Sequence, residues 1–186
     1  METKKPITSY TDAANKLKTV KVRWQHDQKS NEWNWIKIFK EHMDFSLGFA
    51  TCEKNAWIIK TLVNRKERYK FKTCKNVVLV GSGFYPYSLF DVYKQYEHIN
   101  LIGIDYDENC VRISQLLLDS ANINDRIKVI HADGIEFDYS FLDHEDLVFL
   151  SVDIEKRNEI YSRVIQTSKA SVYVCEPKNE WVKNRA

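Results

Sequence analysis

The chain has 186 residues, of which 44% are hydrophobic, 13% aromatic and 29% charged, with a formal net charge of +2 at pH 7. That supplies the core of one domain of ordinary size with a short helical extension, and it argues against the Lys/Arg stripe of a duplex nucleic-acid binder. No run approaches the ~18 apolar residues of a membrane span, residues 1–19 hold no apolar leader, and the four cysteines form no CxxC pair. The expectations are therefore no nucleic acid, no membrane, no metal and a reduced, cytoplasmic setting.

Residues 1–74 carry a helical pattern and read as an N-terminal extension or lid. Ala13, Leu17 and Val20 suit a short helix. Trp33, Ile36, Phe39 and Met43 fall at helical spacing over 31–43, and Ala56, Ile59 and Val63 do so over 52–65. Trp33 reads as core, whereas Trp35 lies off that stripe and is the better lid residue.

From Lys75 the pattern changes to short apolar, β-branched runs alternating with helices, the signature of a parallel α/β sheet over 75–186. The spacing predicts strands at 77–80, 101–104, 127–130, 147–152 and 171–175. Helices are predicted from Pro86 to about 96, from an Asp107 cap to about 120, and over 155–167. The first strand is continuously apolar, as a strand buried on both faces must be.

Three polar features sit at the ends of successive strands. Gly81-Ser82-Gly83 follows the first strand directly; glycine there permits a sharp turn and lets a ligand approach without meeting a Cβ. The alternative is an ordinary tight strand-to-helix turn. Asp105 ends the second strand, where an acidic side chain can accept hydrogen bonds from ribose hydroxyls and repel phosphate. Asp107 competes with it for the binding and capping roles. In His131-Ala132-Asp133-Gly134, after the third strand, Asp133 can accept from the exocyclic amine of adenine, or can be a plain polar strand end. A dinucleotide turn would carry a third glycine where Pro86 stands, and no Walker pattern exists, so a nucleoside without phosphates fits better than NAD.

Over 75–177 these residues resemble class I S-adenosylmethionine-dependent methyltransferases: VVLVGSG matches the glycine motif, GIDYD the ribose motif and VIHADG the adenine motif. The resemblance implies a Rossmann-like, mostly parallel α/β fold with S-adenosylmethionine as cofactor. Its implied binding residues are Gly81, Ser82, Gly83, Asp105, Tyr106, Asp133, Gly134 and Ser151. Such proteins usually continue past the fifth strand with a helix and a hairpin, so the sheet is expected to be truncated there, or completed in a homodimer. A narrower resemblance links Gly81-Ser82-Gly83-Phe84-Tyr85-Pro86-Tyr87-Ser88 to the GSGxxPxS/T turn of nicotianamine synthase-like enzymes. There an amine attacks the cofactor's γ-carbon and methylthioadenosine leaves.

The expected activity is thus transfer from S-adenosylmethionine to a small-molecule acceptor, or within the cofactor itself. Tyr85 and Tyr87 are candidate aromatic partners for the sulfonium, since a cation is drawn to a ring face. Asp153 is the candidate base or ammonium partner, its alternative being a helix cap. His26, Glu53 and Glu176 are weaker candidates, and the basic run over 65–70 reads as a solvated helix end. A non-catalytic binding module and an NAD-linked oxidoreductase are the competing classes.

Overall fold

The structure is a computed structural model that describes residues 69–151 and 154–175. Five parallel strands, β1 (Asn76–Val80), β2 (Asn100–Asp105), β3 (Ile127–His131), β4 (Leu147–Leu150) and β5 (Ser171–Val174), form one sheet in the order β3-β2-β1-β4-β5. The helices are α1 (Lys70–Thr73), α2 (Tyr87–Gln95), α3 (Glu108–Ala121) and α4 (Arg157–Thr167). The chain builds outward from β1 to β3, then returns to the other side of β1 for β4 and β5. That reversal puts the switch point of the sheet between β1 and β4, where open α/β sheets hold their ligands.

Alternation along the strands divides the core into two layers. Leu79, Leu101, Val129 and Phe149 face α2 and α3, which contribute Leu89, Phe90, Val111 and Leu117. Val78, Val80, Ile104, Val148 and Leu150 face the other way, toward Tyr139, Leu142 and the Ile160–Val164 stripe of α4. Both layers draw on the apolar runs of β1 and β4, two of the three strands flanked on both sides.

The helix ends follow from local chemistry. Asp107 adopts an extended backbone and its carboxylate accepts the Asn109 N–H at 2.9 Å, the N-cap expected for α3. Asn122, in the left-handed region at φ 53°, closes that helix. The helix expected from residue 155 begins instead at Arg157. Lys156 before it sits at φ 54°, and a left-handed residue does not continue a right-handed helix.

Sheet packing starts ahead of Lys75. Phe71 is fully buried, stacked on Tyr96 at 5.3 Å and on Phe149 at 6.4 Å, and Lys70 Nζ donates to Ser171 Oγ. The helices expected over 31–43 and 52–65, with Trp33 and Trp35, lie outside the described residues, as do Cys52, His26, Glu53 and Glu176. Among the described residues no helix is long and apolar enough to cross a membrane. No cluster of His, Cys, Asp and Glu among them could hold a metal ion.

Two thiols are core residues. Burial, and then the nearby Asp146 charge, push Cys74 up to about 12, and burial raises Cys175 to about 11. At pH 8 both are therefore protonated, and the thiolate is the reactive form. Iodoacetamide at pH 8 should leave both unlabelled in native protein and modify both in guanidinium. Native labelling of either, seen by mass spectrometry, would contradict this packing.

Candidate functional site

β1 runs directly into the glycine turn. Gly81 and Gly83 both take positive φ, 73° and 64°, a region that side chains with a Cβ rarely adopt. Their surroundings differ. A Cβ on Gly81 would lie 2.8 Å from Ile154 Cγ1 and 3.2 Å from Ser151 Cβ, while a Cβ on Gly83 would meet nothing within 4 Å. Gly81 is thus packed into the fold, and Gly83 faces open space.

The backbone donors of the turn are all engaged. The N–H groups of Gly81 and Ser82 donate to the Ile104 carbonyl at 2.8 and 3.0 Å. That of Gly83 donates to Asp105 Oδ2 at 2.7 Å. Buried Ser114 of α3 donates its hydroxyl to the Gly83 carbonyl at 2.9 Å. A phosphate site needs several backbone N–H groups pointing outward, and these three point into the protein.

Asp105 is 8% exposed at the tip of β2. One carboxylate oxygen accepts from Gly83 and the other from the Asp107 N–H at 3.0 Å. An ionised carboxylate offers about four acceptor positions, so about two remain. Asp107, its competitor in the sequence, is engaged as the α3 cap. Tyr106, between them, is 74% exposed. The register pairs Asp105 with His131 at the end of β3, so the loop carrying Asp133 comes alongside.

Asp133 is exposed, and Oδ1 accepts the Ile135 N–H at 2.8 Å, closing a turn that leaves Oδ2 without a partner among the described residues. Gly134 is buried against Val80 and Ile160, and its carbonyl accepts from the Tyr139 hydroxyl at 2.9 Å. Burial raises that phenol well above its ordinary range. Gly134 therefore packs the loop onto β1. Ser151 extends the β1–β4 ladder by donating its N–H to the Val80 carbonyl at 3.0 Å, which sets it beside Gly81.

Other sequence candidates sit differently. Ser82 is 5% exposed, and its hydroxyl faces Gly103 of β2, with no hydrogen-bond partner among the described residues. Tyr85 is 8% exposed, its ring edge-on to Phe90 at 5.3 Å in the α2 core. Tyr87 opens α2, but its side chain lies outside what is described, as does all of Asp153. Two residues were not singled out in the sequence: Ser114, and the His131 ring. Ser114 had a signal, since it stands between Val111 and Leu118 on the apolar stripe of α3. Two hollows, of about 470 and 360 Å³, lie away from the strand tips, one beside residues 140–143 and 166–169 and one along β3.

The glycine environments predict unequal mutants. Gly81→Ala combines a left-handed Cβ with a 2.8 Å overlap and should destabilise by about 3 kcal/mol. Gly83→Ala meets only the conformational penalty, about 1 kcal/mol. Thermal denaturation checks the difference, and equal losses would contradict it.

No protein-family model matches the chain, and no curated protein matches it. Solved structures do. A Methanococcus maripaludis protein assigned as an S-adenosyl-L-methionine-dependent methyltransferase (mmp1179) superposes with a TM-score of 0.53 at 16% identity, over 80% of this chain and 65% of that one. The plantazolicin methyltransferase BpumL, solved with SAH, gives 0.52 at 15% identity over 92% of this chain and 64% of its own. This chain thus spans less than two thirds of the length of each. The parallel β3-β2-β1-β4-β5 sheet, with its glycine turn after β1 and its acidic residue ending β2, is the Rossmann-like α/β fold of class I S-adenosylmethionine-dependent methyltransferases.

Proposed function

We propose that the chain is an S-adenosylmethionine-dependent transferase that modifies a small-molecule acceptor by methyl transfer. The observation that carries this reading is the pairing of Gly83 with Asp105. A glycine turn whose N–H groups are all engaged stands beside a carboxylate with acceptor positions to spare. Such a site suits a ribose without phosphates.

The residues present fit that cofactor. Gly83 leaves the space a Cβ would fill, Asp105 can accept from the ribose hydroxyls, and the unpaired Asp133 oxygen can accept from the adenine amine. The exposed Tyr106 ring is available to the base. Asp105, Asp107 and Asp133 put negative charge around the strand tips, a field that favours a cationic ligand and opposes an anionic one. When bound, the cofactor supplies an electrophilic carbon beside a sulfonium. The protein's task is then positioning and exclusion of water. Ser151 lies beside the glycine turn, and Asp153, two residues on in the sequence, is the residue proposed to hold or deprotonate the acceptor.

The Gly81–Ser88 turn, with Pro86 capping α2, supports a second reading in which the γ-carbon is attacked, by an acceptor amine or within the cofactor's own arm. Incubation with S-adenosylmethionine, alone and with candidate acceptors, followed by mass spectrometry, separates the outcomes. S-adenosylhomocysteine marks methyl transfer, and methylthioadenosine marks γ-carbon attack. Binding without either product would make the chain a non-catalytic module, and absence of binding would refute the proposal. Gly83→Ala, which keeps the fold, should weaken cofactor binding by at least about tenfold, the cost of refusing a close contact.

A further inference from the structure

At the tip of β3 the His131 side chain reaches across to the loop that follows β2. The β2–β3 ladder pairs Asp105 with His131, and the Ala132 N–H then donates to the Asp105 carbonyl at 3.0 Å. One residue further, a side chain takes over: His131 Nε2 lies 2.9 Å from the Tyr106 carbonyl oxygen. A carbonyl only accepts, so this nitrogen carries the proton, in the neutral Nε2–H tautomer and in the charged ring alike. The Tyr106 carbonyl and the Asp107 N–H belong to one planar peptide unit. That same N–H donates to Asp105 Oδ1. The unit is therefore gripped at both ends, and turning it would break both bonds.

We infer that His131 is a positioning residue for the ribose-binding carboxylate. By holding the 106–107 peptide from β3, it keeps one oxygen of Asp105 fixed while Gly83 fixes the other. The remaining acceptor positions then point the same way in every molecule. The inference rests on the S-adenosylmethionine reading and assigns His131 no contact with the reacting atoms.

Calorimetric titration with S-adenosylhomocysteine, and with its analogue lacking the ribose 2′-hydroxyl, tests it on wild type, His131→Phe and His131→Gln. Gln carries its amide nitrogen about as far from Cβ as His carries Nε2, so it keeps the donor. His131→Phe should lose about tenfold in affinity for S-adenosylhomocysteine. His131→Gln should recover most of that loss, and the Phe penalty should shrink on the deoxyribose analogue. Full affinity in His131→Phe overturns the inference, as does an equal penalty on both ligands or a failure of Gln to rescue. If the Phe variant does not fold, His131→Leu gives the same comparison. A wild-type protein that binds neither ligand refutes the cofactor reading itself; wild-type binding with an indifferent His131→Phe refutes only the role of His131.

Discussion

Asp105→Asn should lower affinity for S-adenosylmethionine by at least about a hundredfold and leave a folded protein. Two ribose hydrogen bonds to an ionised acceptor, at about 1.5 kcal/mol or more each, give that factor. The amide keeps one oxygen, enough for either the Gly83 or the Asp107 N–H, and turns an NH₂ toward the other. The fold therefore loses one part-buried bond within the turn, while the ligand loses the charge and its paired acceptor. Asp107→Asn is the control. Asn caps a helix as well as Asp does, so α3 stays closed and the loss of affinity should be far smaller, that of one nearby charge alone. Titration calorimetry on the three proteins checks this, and an Asp105→Asn protein that binds like wild type would remove the basis of the proposed function.

The parts of this molecule governed by local chemistry were legible in the residues. The strands were readable because β1 and β4 are buried on both faces and must be apolar throughout, and the α3 cap because Asp107 directly precedes a helical pattern. The Gly81-Ser82-Gly83 and Asp105 turns were found for the same reason: their demands are on backbone angles and on one carboxylate. What could not be read was direction. Ser82 stands between two glycines and looks like a ligand contact, yet the turn sends its hydroxyl under the loop toward Gly103. Tyr85, close to the site by chain position, is drawn into the α2 core because its ring finds Phe90. Gly134 belongs to the adenine motif but is needed where the loop meets Val80. His131 could not be singled out at all, since its role depends on the β2–β3 register, which no local pattern states.

Asp146→Ala should be the most destabilising single change among the described polar residues, by about 4 kcal/mol, lowering the melting temperature on the order of 10 °C. Asp146 is 3% exposed at the start of β4, the end of the sheet opposite the glycine turn. Oδ1 accepts the N–H groups of Lys75 and Asn76 at 3.1 and 2.8 Å; Oδ2 accepts Asn76 Nδ2 and the Asp143 N–H, each at 3.0 Å. Four donors thus converge on one buried carboxylate and tie the start of β1 to the start of β4. Removing it strands all four where water reaches poorly, and each buried donor left unpaired costs about 1–3 kcal/mol. Asp105 and Asp146 are both buried carboxylates that accept backbone N–H groups, and what separates them is saturation. Asp146 accepts at every position, so nothing is left for a ligand; Asp105 accepts two bonds beside an open glycine. An Asp146→Ala protein held well below its melting point should therefore bind S-adenosylmethionine as tightly as wild type, while Asp105→Asn, which strands one donor and not four, should lose less stability than Asp146→Ala and fail to bind. Loss of binding in Asp146→Ala at a temperature where it remains folded would show that the two ends of the sheet are not independent.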